Sequence, residues 1–316
     1  MSRTVIQIIL MFAICHSAMA LETDNYISWD QNLEDSSDEL NSYFLSQILI
    51  VLKRTHAENK SLSCEQVTGE IAKVFRSRMV HDNPVENYLI ENLSPAEIYP
   101  QTLSYVEKSI FRDPFLPHIP KFGLAPNIQV NDNTFGTDKL SHFASTGHHY
   151  YVIYQKALKL NPDTEDAEKM AIQYGVADEK MVHGYWASGV FSYADLEANY
   201  QGMLFYKKLC GGSSSYLAKD QAGQWQLLRS PDIREYTSPF WDETFNRSYF
   251  VERNWKKVSA VIKSDYCEKR NLPQVQNKFL GYQQRSQETA YSKYISTLIK
   301  NGKAPAPQSV DELCRN

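Results

Sequence analysis

The chain is poor in long hydrophobic runs. Past residue 20 no stretch approaches the ~18 uninterrupted apolar residues that a membrane-spanning helix requires, so a mature protein without a transmembrane segment is expected. It also lacks a basic stripe. Its 33 lysines and arginines face 37 aspartates and glutamates, a net charge of −4, which argues against nucleic acid as a partner. Cysteine is scarce, with five in 316 residues, and no pair stands at C-x-x-C spacing. No H-E-x-x-H occurs either, so no metal is expected, and no cofactor is called for. Internal repeats and low-complexity segments are absent, which excludes solenoids and compositionally biased linkers.

What is present begins at the N-terminus. Arg3 supplies a positive start, Val5 to Ile14 a short apolar core, and Ala18-Met19-Ala20 an A-x-A cleavage site. Residues 1–20 therefore read as a secretory signal peptide, too short for a span, with the mature chain starting at Leu21. Ile14 precedes Cys15, where a lipoprotein would carry a small residue. Four cysteines then remain, Cys64, Cys210, Cys267 and Cys314. An even number in an exported chain predicts two disulfides, and three pairings are possible. A periplasmic or secreted monomer is expected. Tyrosine is abundant, at 20 residues. Its ring stacks while its hydroxyl bonds, which suits carbohydrate or protein surfaces and equally a polar-rimmed core.

Helical periodicity dominates the mature chain. Asp35-Ser36-Ser37-Asp38 caps a helix with Leu40, Phe44, Ile48 and Leu52 on one face. Ser63 caps another, with Val67, Ile71 and Phe75 inward. Residues 21 to 34 read as an extended lead-in, and Asp113 to Pro126, with four prolines, as an ordered extended crossover. Ile128 and Val130 suit a brief strand before a turn at Asn131-Asp132-Asn133. Thr137 caps a helix running to about Leu160; a second runs from Thr164 to about Tyr174, where Gly175 ends or bends it. Glu179 to Trp186 continues helically, and Ser192 opens a helix to Leu209. Beyond it come a short strand pair within 225–236, an aromatic and acidic turn at Pro239 to Glu243, and helices at 258–265 and 287–300. The fold class is mainly α: one helical domain over 21–316 with a small β-hairpin element around central helices at 136–206, and a C-terminal helical extension at 225–316.

Polar, reactive side chains concentrate in 136–206, within segments that otherwise read as helix core. Burying them costs free energy unless they pair. Asp138, His142 and His149 fall near one helix face, where Asp138 can orient or charge His142, or simply answer the helix dipole. A zinc set of His142, His149 and His183 has no supporting local spacing. Ser192 and Asp195 fit S-x-x-D, a capping-box variant. Asp195, Asn199 and Gly202 form a stripe whose glycine lets another helix approach, and an Asp–Asn pair facing Lys139 or His142 would make a polar network. Glu179 lies among Val176, Ala177, Met181 and Val182, a setting that raises a carboxyl pKa and suits a general acid. The plain alternative is an exposed Glu179 paired with Lys180.

Taken in order, D-K-x-x-H-F at Asp138 to Phe143, Glu179, and S-x-x-D-L-x-A-N-x-x-G from Ser192 to Gly202 resemble the core of VanZ-like and YfiM-type bacterial envelope proteins. The likeness covers residues 136–206 and implies an envelope location. This chain departs from those small membrane or lipid-anchored proteins in its polar helices and its long flanks. In layout alone, Glu179, Gly189-Val190-Phe191-Ser192 and Asp195 are similar to lysozyme-type enzymes. Two expectations follow. One is a peptidoglycan glycan-strand hydrolase with Glu179 as acid and Asp195 stabilising charge or positioning water. Asp138, Lys139, His142, Ser192 and Asn199 would then bind substrate or support the site, and cell-wall glycan would be the partner. The other is a non-catalytic envelope scaffold or binding protein with a buried Asp–His–Asn network.

Overall fold

The computed structural model describes residues 22–76, 83–100, 106–112, 124–162, 164, 166–180 and 189–315. Residues 1–20, where a signal peptide is expected, His183 and most of the proline-rich crossover lie outside them. The described chain is mainly helical with small antiparallel sheets, as the periodicity predicts.

Helix α1 (Ser37–Ala57) buries Leu40, Phe44, Ile48 and Leu52 on one stripe. Its start is fixed by Asp35, whose carboxylate accepts from the Ser37 backbone N–H. Helix α2 (Cys64–Phe75) opens on a reciprocal capping box between Ser63 and Gln66, and Val67, Ile71 and Phe75 are fully buried. Helix α3 (Pro84–Asn92) starts from an Asn83 cap with proline in its first turn. Strands β1 (Ile98–Tyr99), β2 (Asn127–Val130) and β3 (Asn133–Gly136) form one antiparallel sheet, with Ile128 opposite both Ile98 and Phe135. Asn131 and Asp132 both take positive φ, 50° and 60°, the two-residue hairpin turn that asparagine and aspartate tolerate best.

The centre is one long helical run in three parts: α4 (Asp138–Ser141), a π-helical turn (His142–Thr146) and α5 (Gly147–Leu160). Thr137 does not cap it. Thr137 itself has helical dihedrals, and its buried hydroxyl makes no hydrogen bond. Helix α6 (Ala167–Asp178) runs through Gly175 rather than ending there. The glycine serves packing instead, because a Cβ at that position would lie 1.5 Å from the Tyr150 hydroxyl. Strand β4 (Val190–Phe191) leads to helix α7 (Tyr193–Cys210), which lies along α5 and is buried on most of its length. Gly147 and Gly202 make that approach possible. A Cβ on Gly202 would stand 2.0 Å from the Phe143 carbonyl oxygen, and one on Gly147 would stand 2.6 Å from the Gly202 Cα. The π turn places the Ala144 carbonyl where the Tyr206 hydroxyl donates to it at 2.6 Å.

The remaining chain wraps this centre. Strands β5 (Leu217–Lys219) and β6 (Trp225–Leu227) make a hairpin that begins earlier than the 225–236 segment in which a strand pair is expected. A 3-10 turn at Pro239–Trp241 precedes β7 (Tyr249–Phe250), which pairs with β4. Helices α8 (Glu252–Val261), α9 (Pro273–Arg285), α10 (Ala290–Lys300) and α11 (Val310–Leu313) complete it. Helix α9, begun by Pro273, is one that the periodicity does not single out.

Two disulfides resolve the open pairing. Cys64–Cys210 ties the start of α2 to the end of α7, and Cys267–Cys314 pins the tail, with Cα separations of 5.9 and 5.3 Å. The lead-in is not a loose arm. Asp24, Asn25 and Ser28 are buried, Thr23 bridges to Ala125, and Tyr26, Ile27 and Trp29 join a second apolar cluster with α8, α9 and α11.

Candidate functional site

Helices α4 and α7 aim their polar stripes at each other. Lys139, the second residue of α4, is wholly buried. Its ammonium meets Asp138 at 2.6 Å, Asp195 at 2.7 Å and Glu243 at 2.7 Å. An ammonium has three N–H donors, and here three carboxylates surround them. Oxygens of Asp138, Asp195 and Glu243 stand within 4.8 Å of one another, a spacing that would suit a cation, and Lys139 Nζ is the cation held there.

His142 stands one turn along. Its Nε2 lies 3.3 Å from the second oxygen of Asp195, and its Nδ1 3.2 Å from Asn199 Oδ1. His142 thus joins Asp195 to Asn199, and Asp138, His142, Asp195 and Asn199 converge as their helix faces predict.

Ser192 performs its capping role. Its hydroxyl accepts from the Asp195 backbone N–H at 3.1 Å and donates to Glu243 at 2.9 Å. The Asp195 side chain does not return to close a capping box; it turns to Lys139 and His142. Glu179, just past α6, is buried and accepts from the Ser192 backbone N–H at 3.0 Å. It is not the exposed partner of Lys180, which bonds the Lys303 carbonyl.

Three further residues belong to the network. Glu243 comes from the Pro239–Trp241 turn. Thr23, from the lead-in, donates to the outer oxygen of Asp138. Glu86, on α3, accepts from Ser141, the residue beside His142. Glu243 is itself held by its backbone N–H, which donates to Asn25 Oδ1 at 3.0 Å. Its neighbour Asp242 points the other way, accepting from Tyr282 on α9 at 3.1 Å and from Thr244. The acidic pair thereby clamps α9 to the centre. The aromatic and acidic turn was visible in the sequence; its contribution to this site was not.

The carboxyls do not ionise alike. Burial raises Glu179 well above the usual range, and the charge on Asp195 adds to that, with the Ser192 N–H opposing. Burial also pushes Asp195 up, but His142 and Lys139 outweigh it and hold Asp195 below its ordinary value. Glu243 is raised to about 7, chiefly by burial, with Lys139 opposing and Asp195 and Asp138 adding. Glu86 is raised to about 8, again chiefly by burial. Lys139 is pushed down by burial, yet its three carboxylates carry it well above 10.5. The depressed Asp195 thus stands against Lys139 while burial favours the protonated form at Glu179 and Glu86 around it. His149, the other imidazole of the proposed zinc set described here, is not in this cluster. Among the described residues no helix is long and apolar enough to cross a membrane. Comparison with models of protein families, with curated proteins and with solved structures returns no match.

Proposed function

We propose that this chain is an extracytoplasmic cell-envelope protein that binds glycan without cleaving it, and that its Lys139 network is a structural centre. The observation behind this reading is that the buried Lys139 ammonium donates to Asp138 and Glu243 and is ion-paired to Asp195, all at 2.6–2.7 Å. A general acid or nucleophile must reach substrate, whereas Asp195 is held by Lys139 and His142 together. Two disulfides favour an oxidising compartment. The D-K-x-x-H-F and S-x-x-D-L-x-A-N-x-x-G blocks resemble envelope proteins and supply five of the network's residues, Asp138, Lys139, His142, Asp195 and Asn199.

One observation favours the hydrolase reading. Burial and the Asp195 charge raise Glu179 while His142 and Lys139 hold Asp195 down, the opposed shifts of a glycosidase pair. A zymogram on peptidoglycan and its deacetylated form, with native protein and Glu179→Gln, separates the two readings. Binding to sacculi without clearing by either protein is the expected result. Clearing by native protein that Glu179→Gln abolishes establishes the hydrolase and overturns the binding-only reading.

A further inference from the structure

Outside the network, a cleft of about 510 Å³ opens between the 244–247 segment and α9, a size typical of small-molecule sites. Trp29, Phe245 and Phe279 give it an aromatic wall. Phe279 stands edge-on to Trp29 at 5.8 Å and is tilted 33° to Phe245 at 6.2 Å. Gln276 and Gln283 bring amides from α9. Arg247 and Arg270 bring guanidiniums, and both are ion-paired to Asp311, Arg247 at 2.6 Å.

Two features of this cleft point to a ligand. First, the charge does not close: two guanidiniums share one carboxylate, leaving an excess positive charge. Second, two buried donors on lining residues have no protein acceptor, Trp29 Nε1 and Arg247 Nε. Buried donors are ordinarily satisfied, and Trp29 is 3% exposed. The site thus offers aromatic faces, amides and net positive charge.

We infer that this cleft binds a carboxylate-bearing sugar. Aromatic rings take the C–H face of a pyranose. The glutamine amides match its hydroxyls, and a guanidinium fork matches its carboxylate. The inference deepens the glycan-binding reading and rests on it; it is independent of the chemistry around Lys139. Muramic-type and uronic acids share this chemistry and differ in where the carboxylate hangs from the ring.

Isothermal titration of the mature chain with N-acetylmuramic acid, glucuronic acid and N-acetylglucosamine tests it. At least one acid should bind about tenfold or more tightly than the neutral sugar, and which acid does so identifies the source. Arg270→Gln should weaken that acid about tenfold and leave the neutral sugar unchanged, as expected for loss of a charge-assisted contact. Gln283→Ala, on the exposed rim, should weaken acid and neutral sugars alike and serves if Arg270→Gln misfolds. Equal affinity for acid and neutral sugars, no binding of either acid, or binding indifferent to both substitutions overturns the assignment. Sedimentation with whole sacculi runs beside it. Sacculus binding without sugar-acid binding defeats the cleft alone, and no sacculus binding defeats the glycan reading as well.

Discussion

The Lys139 network and the Arg247 cleft are built from the same materials, cations set against carboxylates, and differ in their access to water. Around Lys139 one ammonium meets three carboxylates with no exposure at the nitrogen's side chain. In the cleft one carboxylate meets two guanidiniums, and all three side chains are about one third exposed. Charges out of water have lost their hydration, so each is tied to its partners, and removal of one leaves the others uncompensated. Charges at a wet rim trade partners for solvent at little cost. The first arrangement therefore fixes structure, and the second leaves its arginines available to a ligand.

Lys139→Met is the most direct way to break this contrast. It keeps much of the side-chain volume and removes the charge, stranding Asp138, Asp195 and Glu243 together. Loss of one partner from a buried ionic set costs about 3–5 kcal/mol. Urea denaturation should show a loss in that range or no folded protein. A loss below about 1 kcal/mol would mean that the network is not what holds α4, α7 and the 239–243 turn together.

The two disulfides divide along the same line. Cys64–Cys210 brackets the α2–α7 side of the network, whereas Cys267 and Cys314 each lie three residues from a cleft side chain, Arg270 and Asp311. Replacing either pair by serine should cost about 2–5 kcal/mol, and chain entropy makes the loss about 1 kcal/mol larger for the 146-residue separation than for the 47-residue one. Only the Cys267/Cys314 double substitution should weaken sugar-acid binding. Calorimetric melting and titration of both double variants check this, and equal effects on binding would remove the regional distinction.

Solution pH should act on the sealed region and pass over the cleft. Glu243 and Glu86 carry folded pKa values of about 7 and 8, above their ordinary 4.5. A raised acid holds its proton more tightly when folded, so its stabilising contribution is complete below about pH 4.5 and is lost as pH climbs through 7 and 8. Asp24, raised to about 6, and Glu197, raised to about 7, act in the same direction. Asp195 and Asp311 are depressed, so their contributions are present above the ordinary carboxylate value near 4 and fall away only in stronger acid. His148, lowered by burial to about 3, acts the other way below about pH 6.5, but the raised carboxyls outnumber it, so stability should decline from pH 5 to pH 8. Urea midpoints at the two pH values measure it, and Glu86→Gln should flatten the upper part of the decline. A midpoint that rises toward pH 8 contradicts the assignment of proton-holding carboxyls.

These residues were not equally legible in sequence. Helices α1 and α2 could be read because their apolar spacing and caps are local, as at Ser63 and at Leu40 to Leu52. Most of the network was legible for the same reason: Asp138, Lys139, His142, Asp195 and Asn199 lie at helical spacing on two segments, and burial forces such groups to meet. Thr23, Glu86 and Glu243 were not, because each reaches the site across 55 to 115 residues and nothing in its local pattern names its partner. Gly202 announced a close helix crossing, whereas the packing role of Gly175 against Tyr150 was not legible, because a glycine needed for close approach reads the same as one that ends or bends a helix. The cleft was illegible altogether. Trp29, Phe245, Arg270 and Asp311 share no motif, and only the folding of the lead-in and tail onto α9 brings them together.

The smallest expected effect sharpens the comparison from the other side. Arg270→Gln removes a guanidinium from the cleft while keeping a polar side chain of similar reach. Arg270 and Asp311 are 33% and 34% exposed, and pairs this wet contribute about 0–1 kcal/mol. Asp311 also keeps Arg247 as a partner. The variant should therefore lose less than about 1 kcal/mol of stability in urea, several-fold less than Lys139→Met, even though it gives up most of its affinity for a sugar acid. Stability and binding would then separate at a single residue, which a sealed ion pair does not allow. A loss near that of Lys139→Met would show that the cleft arginines hold the fold as Lys139 does, and the division between a structural centre and an available rim would be lost.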